Sequence, residues 1–248
     1  NDVTYMADLS EEIARIYGFD HLASTTPSGR VMMARQSERQ SFIDRIKSIL
    51  CSLGMNEENS FSFTHPSMFD KLNVPVDSPL RQAIPIMNPL TDEYPLVRTT
   101  LLSSIFENTV RNLSRKNEDI RLFEVAPVFF PKALPVTEQP DEVLKLAGMM
   151  MGRRDPLGWA QSNDAVDFYD AKGAVEQLLA GLSIGHYTVE RGEHFAMHPG
   201  KTAFFNKGRE WIAALGDVHP AVAAACDVTK KMYIIEMDEV TLVKYSAS

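Results

Sequence analysis

Residues 202–218, TAFFNKGREWIAALGDV, decide the fold class. Two apolar runs flank Asn206-Lys207-Gly208, and glycine at a tight turn supplies the positive φ that joins antiparallel neighbours. This segment is therefore a β-hairpin. Working outward, HYTVERG (186–192) alternates as a strand on one side, and MYIIEMD (232–238) reads as a buried strand on the other. Between them Pro220 suits the first position of a short alanine-rich helix. Further upstream, RLFEVAPVFF (121–130) reads as a strand or a bent strand pair, and VLKLAGMMMG (143–152) as a buried strand. The strands come in hairpins and groups, without strict strand–helix alternation. That pattern predicts an α+β fold, a mostly antiparallel sheet with helices on one side, and argues against a doubly wound fold.

Helical periods surround these strands. Residues 168–182 place Val175, Leu178, Leu179 and Leu182 inward, and residues 100–116 carry Leu102, Phe106, Val110 and Leu113. Residues 37–53 form a longer amphipathic helix on Phe42, Ile46, Ile49, Leu50 and Leu53, stopped by Gly54. In SFSFT (60–64), Phe61 and Phe63 alternate as in a half-buried strand ending at His65-Pro66, and QAIPIMN (82–88) suggests another strand. The first helix opens at Asp8 as N-cap, with Glu11 completing a capping box and Gly18 as the stop. Its apolar face is Leu9, Ile13, Ile16 and Tyr17. STTPSGR (24–30) marks a linker.

Hydrophobic residues make up 44% and charged residues 23% of the chain, a balance that folds and does not stay disordered. Twenty-five Lys and Arg against 33 Asp and Glu leave a formal charge of −8, which argues against a general nucleic-acid-binding surface. The two cysteines, Cys51 and Cys226, lie in apolar helical contexts with no metal spacing. Reduced core thiols in a cytoplasmic protein are expected. No apolar run approaches membrane-spanning length, and no signal peptide is apparent. The chain opens on Asn1 with a segment that reads as the end of a preceding module, so a piece of a longer protein is expected.

Asp8, Glu11 and Glu12 share one helical face, and an extended backbone could bring Asp2 to the same place. Hard oxygen ligands of this kind suit magnesium. Equally, acids in a first helical turn are favoured by the helix dipole and by capping alone. His194 and His198 are four apart, but Gly192 and Pro199-Gly200 argue against a shared helix, and no further ligand stands nearby. No P-loop, dinucleotide-binding or nucleophile-elbow string occurs. Arg111, Arg115, Lys116 and Arg121, interrupted by Glu118 and Asp119, read as a solvated helix end.

Asp2, Asp8-Leu9-Ser10-Glu11-Glu12 and Ala14-Arg15-Ile16-Tyr17-Gly18-Phe19-Asp20 together resemble the end of the metal-binding module of bacterial phenylalanine–tRNA ligase beta chains. The downstream strings resemble the same family's next module, in the family's order. They are NPLTDEYPLVRTTLL (88–102), RLFEVAPVFF, DFYDAKGAVEQLL (167–179), HPGKTA (198–203) and LGDVHPAVAAACDV (215–228). The resemblance implies three parts: residues 1–20 as the end of a magnesium-binding module, 21–35 as a linker, and 36–248 as a class II synthetase-like core of antiparallel sheet flanked by helices. It implies magnesium ligands at Asp2, Asp8, Glu11 and Glu12, with no catalytic and no cofactor-binding residue in this chain.

The resemblance further implies a holoenzyme of two alpha and two beta chains that attaches phenylalanine to its transfer RNA with ATP, the ATP bound at the alpha chain. Residues 37–53 and 60–64 are similar to the helix–strand–proline element through which class II cores pair. They are expected to meet the alpha chain, with Ile43 widening the apolar stripe and Arg39, Asp44, Arg45 and Lys47 forming a polar rim. Self-association would be a substitute pairing. Arg121-Leu-Phe-Glu124 departs from the usual second motif, and MYIIEMDEV lacks the glycines and arginine of the third. The chain alone is therefore expected to be inactive. A stand-alone synthetase-like paralogue and an RNA-binding module are the competing readings, and no membrane association is expected.

Overall fold

A computed structural model describes residues 2–30 and 33–246. The chain divides into two compact units, Asn1–Gln36 and Ser37–Ser248.

In the first unit, helix α1 spans Met6–Tyr17. It starts earlier than the Asp8 cap predicted, with Tyr5 as the capping residue. Asp8 sits inside the first turn and reaches backwards, accepting from the Thr4 and Tyr5 amides at 2.8 Å each. The carboxylate thus satisfies amides at the positive end of the helix dipole from within the helix. Gly18, at φ +99°, ends the helix and donates its amide to the Ala14 carbonyl. No residue of α1 is buried, and Ile13, Ile16 and Tyr17 are each more than half exposed.

The second unit opens with α2 (Glu38–Ser52), capped by the Ser37 hydroxyl, which accepts from the Gln40 amide. There follow β1 (Asn56–Glu57), β2 (Phe63–Thr64), α3 (Ser67–Lys71), β3 (Leu96–Val97) and α4 (Leu102–Ser114). The long strands β4 (Ile120–Phe130) and β5 (Asp141–Met151) precede α5 (Phe168–Gly181). The remainder is β6 (Thr188–Arg191), β7 (Met197–Lys207), β8 (Glu210–Val218), α6 (Pro220–Ala225), β9 (Met232–Asp238) and α7 (Glu239–Ser246). Seven strands form one sheet in the order β1-β4-β5-β9-β8-β7-β6, antiparallel except for the β1–β4 pair. Strands β2 and β3 make a separate two-stranded ribbon.

The hairpin that decided the fold class is β7–β8. Its turn is Gly208-Arg209, one residue later than expected, with Gly208 at φ +65° and Lys207 opposite Glu210. Residues 121–130 belong to one continuous strand.

Helices cover both faces of the sheet, where one-sided cover was expected. On one face Phe123, Leu146, Phe205, Tyr233 and Ile235 pack with Ile46 and Leu50 of α2, Val175 and Leu178 of α5, and Leu242 of α7. On the other, Val128, Met149, Met151 and Ile234 pack with Phe69 of α3, Ile105 and Phe106 of α4, and Val222 of α6. The cause lies in the strands: successive side chains point to opposite faces, so a run such as Met149-Met150-Met151 supplies apolar groups to both layers.

Three local expectations fail. Residues 82–88 form no strand, because Pro85 lacks an amide donor and only a bridge to Leu96 survives. The strand at 60–64 shrinks to Phe63–Thr64, and Thr64 is the buried residue while Phe61 and Phe63 point outward. Cys51 is exposed and only Cys226 is buried, where burial raises its thiol pKa. Four elements go beyond the sequence expectations, α3 and β3 among them. Strand β1 is too short to leave a periodic signal, whereas α7 is announced by Asp238, whose carboxylate accepts from the Val240 amide as an N-cap.

Candidate functional site

The segment carrying Glu58 to Thr64 runs between β4 and α4 and builds a buried polar cluster. The Glu58 amide donates to the Phe123 carbonyl at 2.8 Å and ties the segment to β4. Ser60 then places its hydroxyl 2.8 Å from Glu124 Oε1. Arg98, immediately after β3, sends Nη1 to Glu124 at 3.0 Å, to the Ser60 hydroxyl at 2.9 Å and to the Ser104 hydroxyl at 3.2 Å. Its Nε donates to the Pro127 carbonyl at 3.1 Å. Arg98 and Glu124 are each 1% exposed. The guanidinium is therefore sealed inside the protein and turned toward its own carboxylate.

Beside this pair stands Glu58, whose two carboxyl oxygens are buried without a well-formed hydrogen bond among the described residues. Burial pushes its pKa up to about 7; the Asn108 side chain and Arg98 moderate the rise, and Glu124 adds to it. The Thr64 hydroxyl is likewise buried with no hydrogen-bond partner among the described residues. Above the cluster opens a cavity of about 470 Å³, lined by Ser60, Phe61, Phe63, Tyr94, Asn108 and Arg111, among others. Phe61 is 75% exposed. Glu107, which also lines the cavity, has its pKa raised chiefly by burial.

Several other acidic groups on the sheet have basic partners. Glu236 on β9 lies 3.0 Å from His194 Nε2, and Asp238 lies 2.7 Å from Lys145 Nζ. The His194 Nδ1 accepts from the Ala196 amide, so Nε2 carries the proton donated to Glu236. His198 instead accepts from the Gly200 amide. Asp217 pairs with Lys201 at 2.9 Å. Arg121 donates to the Arg154 carbonyl. The arginine and glutamate of the RLFE string are thus both engaged inside the fold.

The expected polar rim of α2 is also engaged internally. Arg39 Nε lies 3.0 Å from Glu239 Oε1, which joins α2 to the start of α7 and raises the arginine's pKa. Lys47 pairs with Glu57, Arg45 donates to the Gly181 carbonyl, and Asp44 accepts from the side-chain amide of Gln40. Ile43 lines a groove of about 350 Å³ together with Pro127 and Leu144.

In the first unit, Asp2, Asp8, Glu11 and Glu12 were the predicted magnesium ligands. Among the described residues, no three His, Cys, Asp or Glu side chains are grouped as a metal ion requires. The Tyr5 and Thr4 amides hold the Asp8 carboxyl below the usual carboxylate range, and Glu12 pairs with Arg15. In this arrangement the Asp8 and Glu12 carboxylates are turned to partners within the first unit. No helix among the described residues is long and apolar enough to cross a membrane.

Comparison with known proteins gives a consistent answer. Residues 22–239 match the family model described as the phenylalanyl tRNA synthetase beta chain CLM domain. The phenylalanine–tRNA ligase beta subunit of Syntrophotalea carbinolica is 36% identical over 93% of this chain and 29% of its own length. That of Clostridium acetobutylicum is 35% identical over 96% of this chain and 28% of its own length. That of Geobacter sulfurreducens is 34% identical over 96% and 30%. The chain thus spans less than a third of these relatives. A solved pyrrolysyl-tRNA synthetase from Desulfitobacterium hafniense superimposes with a TM-score of 0.64 at 12% identity, over 96% of this chain and 75% of that one. That likeness shows a class II synthetase fold and nothing finer. The chain belongs to the phenylalanyl-tRNA synthetase beta chain CLM domain family, the family its sequence motifs resembled.

Proposed function

We propose that this chain is the non-catalytic core of the beta subunit of a phenylalanine–tRNA ligase, acting as a scaffold for the alpha chain. In this reading two alpha and two beta chains attach phenylalanine to its transfer RNA, and ATP binds only at the alpha chain. One observation carries the proposal: Arg98 and Glu124 neutralise each other at 1% exposure, with Arg121 engaged on the Arg154 carbonyl. Phosphoryl chemistry needs cationic groups aimed at the developing charge. Here both cations point at acceptors of the chain itself, and apolar layers cover both faces of the sheet. The chain alone should give no phenylalanine-dependent exchange of pyrophosphate into ATP above a no-enzyme control. Clear turnover would sink the scaffold reading.

The alpha-chain contact lies around α2 and the β2 ribbon. Phe61, exposed just before β2, and Phe63, partly exposed on it, support it, since aromatic side chains are costly to leave in water and typical of interface anchors. Co-purification with a cognate alpha chain is the direct test. Recovery of the alpha chain without this chain bound would remove the proposal. Self-association is the substitute pairing when no alpha chain is present, and the cytoplasm is the corresponding compartment.

Magnesium at Asp2, Asp8, Glu11 and Glu12 is part of the same proposal and rests on the sequence resemblance. It requires the four carboxylates to converge, with Asp8 turning from the Thr4 and Tyr5 amides to the cation. Manganese titration followed by electron paramagnetic resonance should give binding that Asp8→Asn weakens. Binding unchanged in that variant would reject the assignment.

A further inference from the structure

A second cavity, of about 560 Å³, lies where β4 begins, β5 ends and β9 begins. The register places Ile120 opposite Met151 and Met151 opposite Met232, so these three strand ends stand side by side. Each brings cations: Lys116 from the turn after α4, Arg153 after β5, and Lys230 and Lys231 before β9. Two are neutralised locally. Asp119 accepts from Arg153 Nε at 2.9 Å, and Glu118 pairs with Lys230. Among the described residues Lys116 and Lys231 have no acidic partner, which leaves a local excess of positive charge on a chain of formal charge −8.

The backbone fixes this arrangement. Gly152 sits at φ +88°, and a Cβ there would lie 2.4 Å from the Glu118 carbonyl oxygen, so only glycine lets the two walls meet. Two hydrogen bonds close the loop above the cavity, from the Arg154 amide to the Asp164 carbonyl and from the Val166 amide to the Gly152 carbonyl. Asn163 of that loop lines the cavity, while Leu157 and Trp159 project from it, Trp159 fully exposed. Unpaired lysines in a fixed concavity attract phosphate, and an exposed indole on the adjoining loop offers a plane on which a base can stack. Together they favour a polynucleotide over a free phosphate, which has no use for the indole.

We propose that this cavity and the 155–163 loop form a contact site for RNA, the lysines holding phosphodiester oxygens and Trp159 stacking on an unpaired base. The proposal rests on the transfer-RNA part of the proposed function and is independent of the alpha-chain interface.

The test titrates the chain with phenylalanine transfer RNA at several salt concentrations, for wild type, Lys116→Ala/Lys231→Ala and Trp159→Ala, with folding checked by circular dichroism. The double-lysine variant should bind about tenfold more weakly, and its slope of log affinity against log salt should fall by about 0.7 per lysine. Trp159→Ala should bind about fivefold or more weakly with the slope unchanged, as loss of one stacked base requires. Absence of binding by wild type at low salt, or equal affinity and slope in all three proteins, would overturn the site. Displacement of the RNA by millimolar inorganic phosphate at constant ionic strength would identify a free-phosphate site and reject the RNA reading. Alpha-chain capture should be unaffected in both variants. Its loss would mark the cavity as a protein interface and overturn the proposal, whereas weakened RNA binding with full capture supports it.

Discussion

At the residue scale, the cluster under the first cavity contains two carboxylates, Glu58 and Glu124, and one guanidinium, Arg98. With Glu58 protonated the cluster is electrically balanced. Its folded pKa of about 7 lies above the ordinary value near 4.3, so the folded chain holds a proton that the unfolded chain has released across that interval. Stability therefore falls as pH rises from about 4.5 through about 7, by on the order of 1–2 kcal/mol after discounting for solvent screening. Urea unfolding at pH 5 and pH 8 should show this loss in wild type and not in Glu58→Gln. An equal loss in both proteins would refute it. Removing one member of the Arg98–Glu124 pair strands the other, so Arg98→Ala should cost about 3–5 kcal/mol. A paired Arg98→Met/Glu124→Leu variant should recover most of that cost, and a thermodynamic cycle on the four proteins measures the coupling. At Gly152 the φ is positive, and an added methyl group would meet backbone at 2.4 Å, which leaves no room for relaxation. Gly152→Ala should lower stability by about 2 kcal/mol or more, measured by thermal unfolding.

At the scale of elements, the β2 ribbon separates folding from association. Thr64 turns inward and Phe63 outward, because side chains alternate along a strand and only one side of the ribbon meets the core. Phe61→Ser, at a side chain that is 75% exposed, should therefore leave the unfolding free energy within about 0.5 kcal/mol of wild type while weakening alpha-chain capture at least about tenfold. A folded variant that still captures the alpha chain undiminished would move the interface elsewhere. Ile43→Glu tests the neighbouring groove in the same way and should weaken capture less, since Ile43 is already half-buried. The polar residues of α2 behave differently. Arg39 and Lys47 hold α2 to α7 and β1, so their replacement should act on stability before it acts on binding.

At the scale of the whole molecule, the second unit has an apolar layer on each face of its sheet, built from its own residues alone. Residues 37–248 expressed without the first unit should therefore unfold cooperatively at nearly the midpoint of the whole chain, as followed by circular dichroism. A broad, uncooperative transition would show that the first unit is needed for the core. The first unit has no buried residue in its helix and should show no cooperative transition by itself.

The sequence by itself determined the long strands and long helices of the second unit, the antiparallel sheet and the family. Gly208 fixed a hairpin, Ser37 and Gly54 bounded α2, and the ordered strings from Asp8 to Val228 identified the family, because each signal is local in the chain. Tertiary structure alone decided three things. It put helices on both faces, since a continuous apolar strand shows that both sides are buried without showing what covers them. It turned Phe61 and Phe63 outward, since alternation gives a strand's period and not its phase. And it brought together Arg98 with Glu124, and Lys116 with Lys231, residues far apart along the chain whose meeting depends on strand order and register.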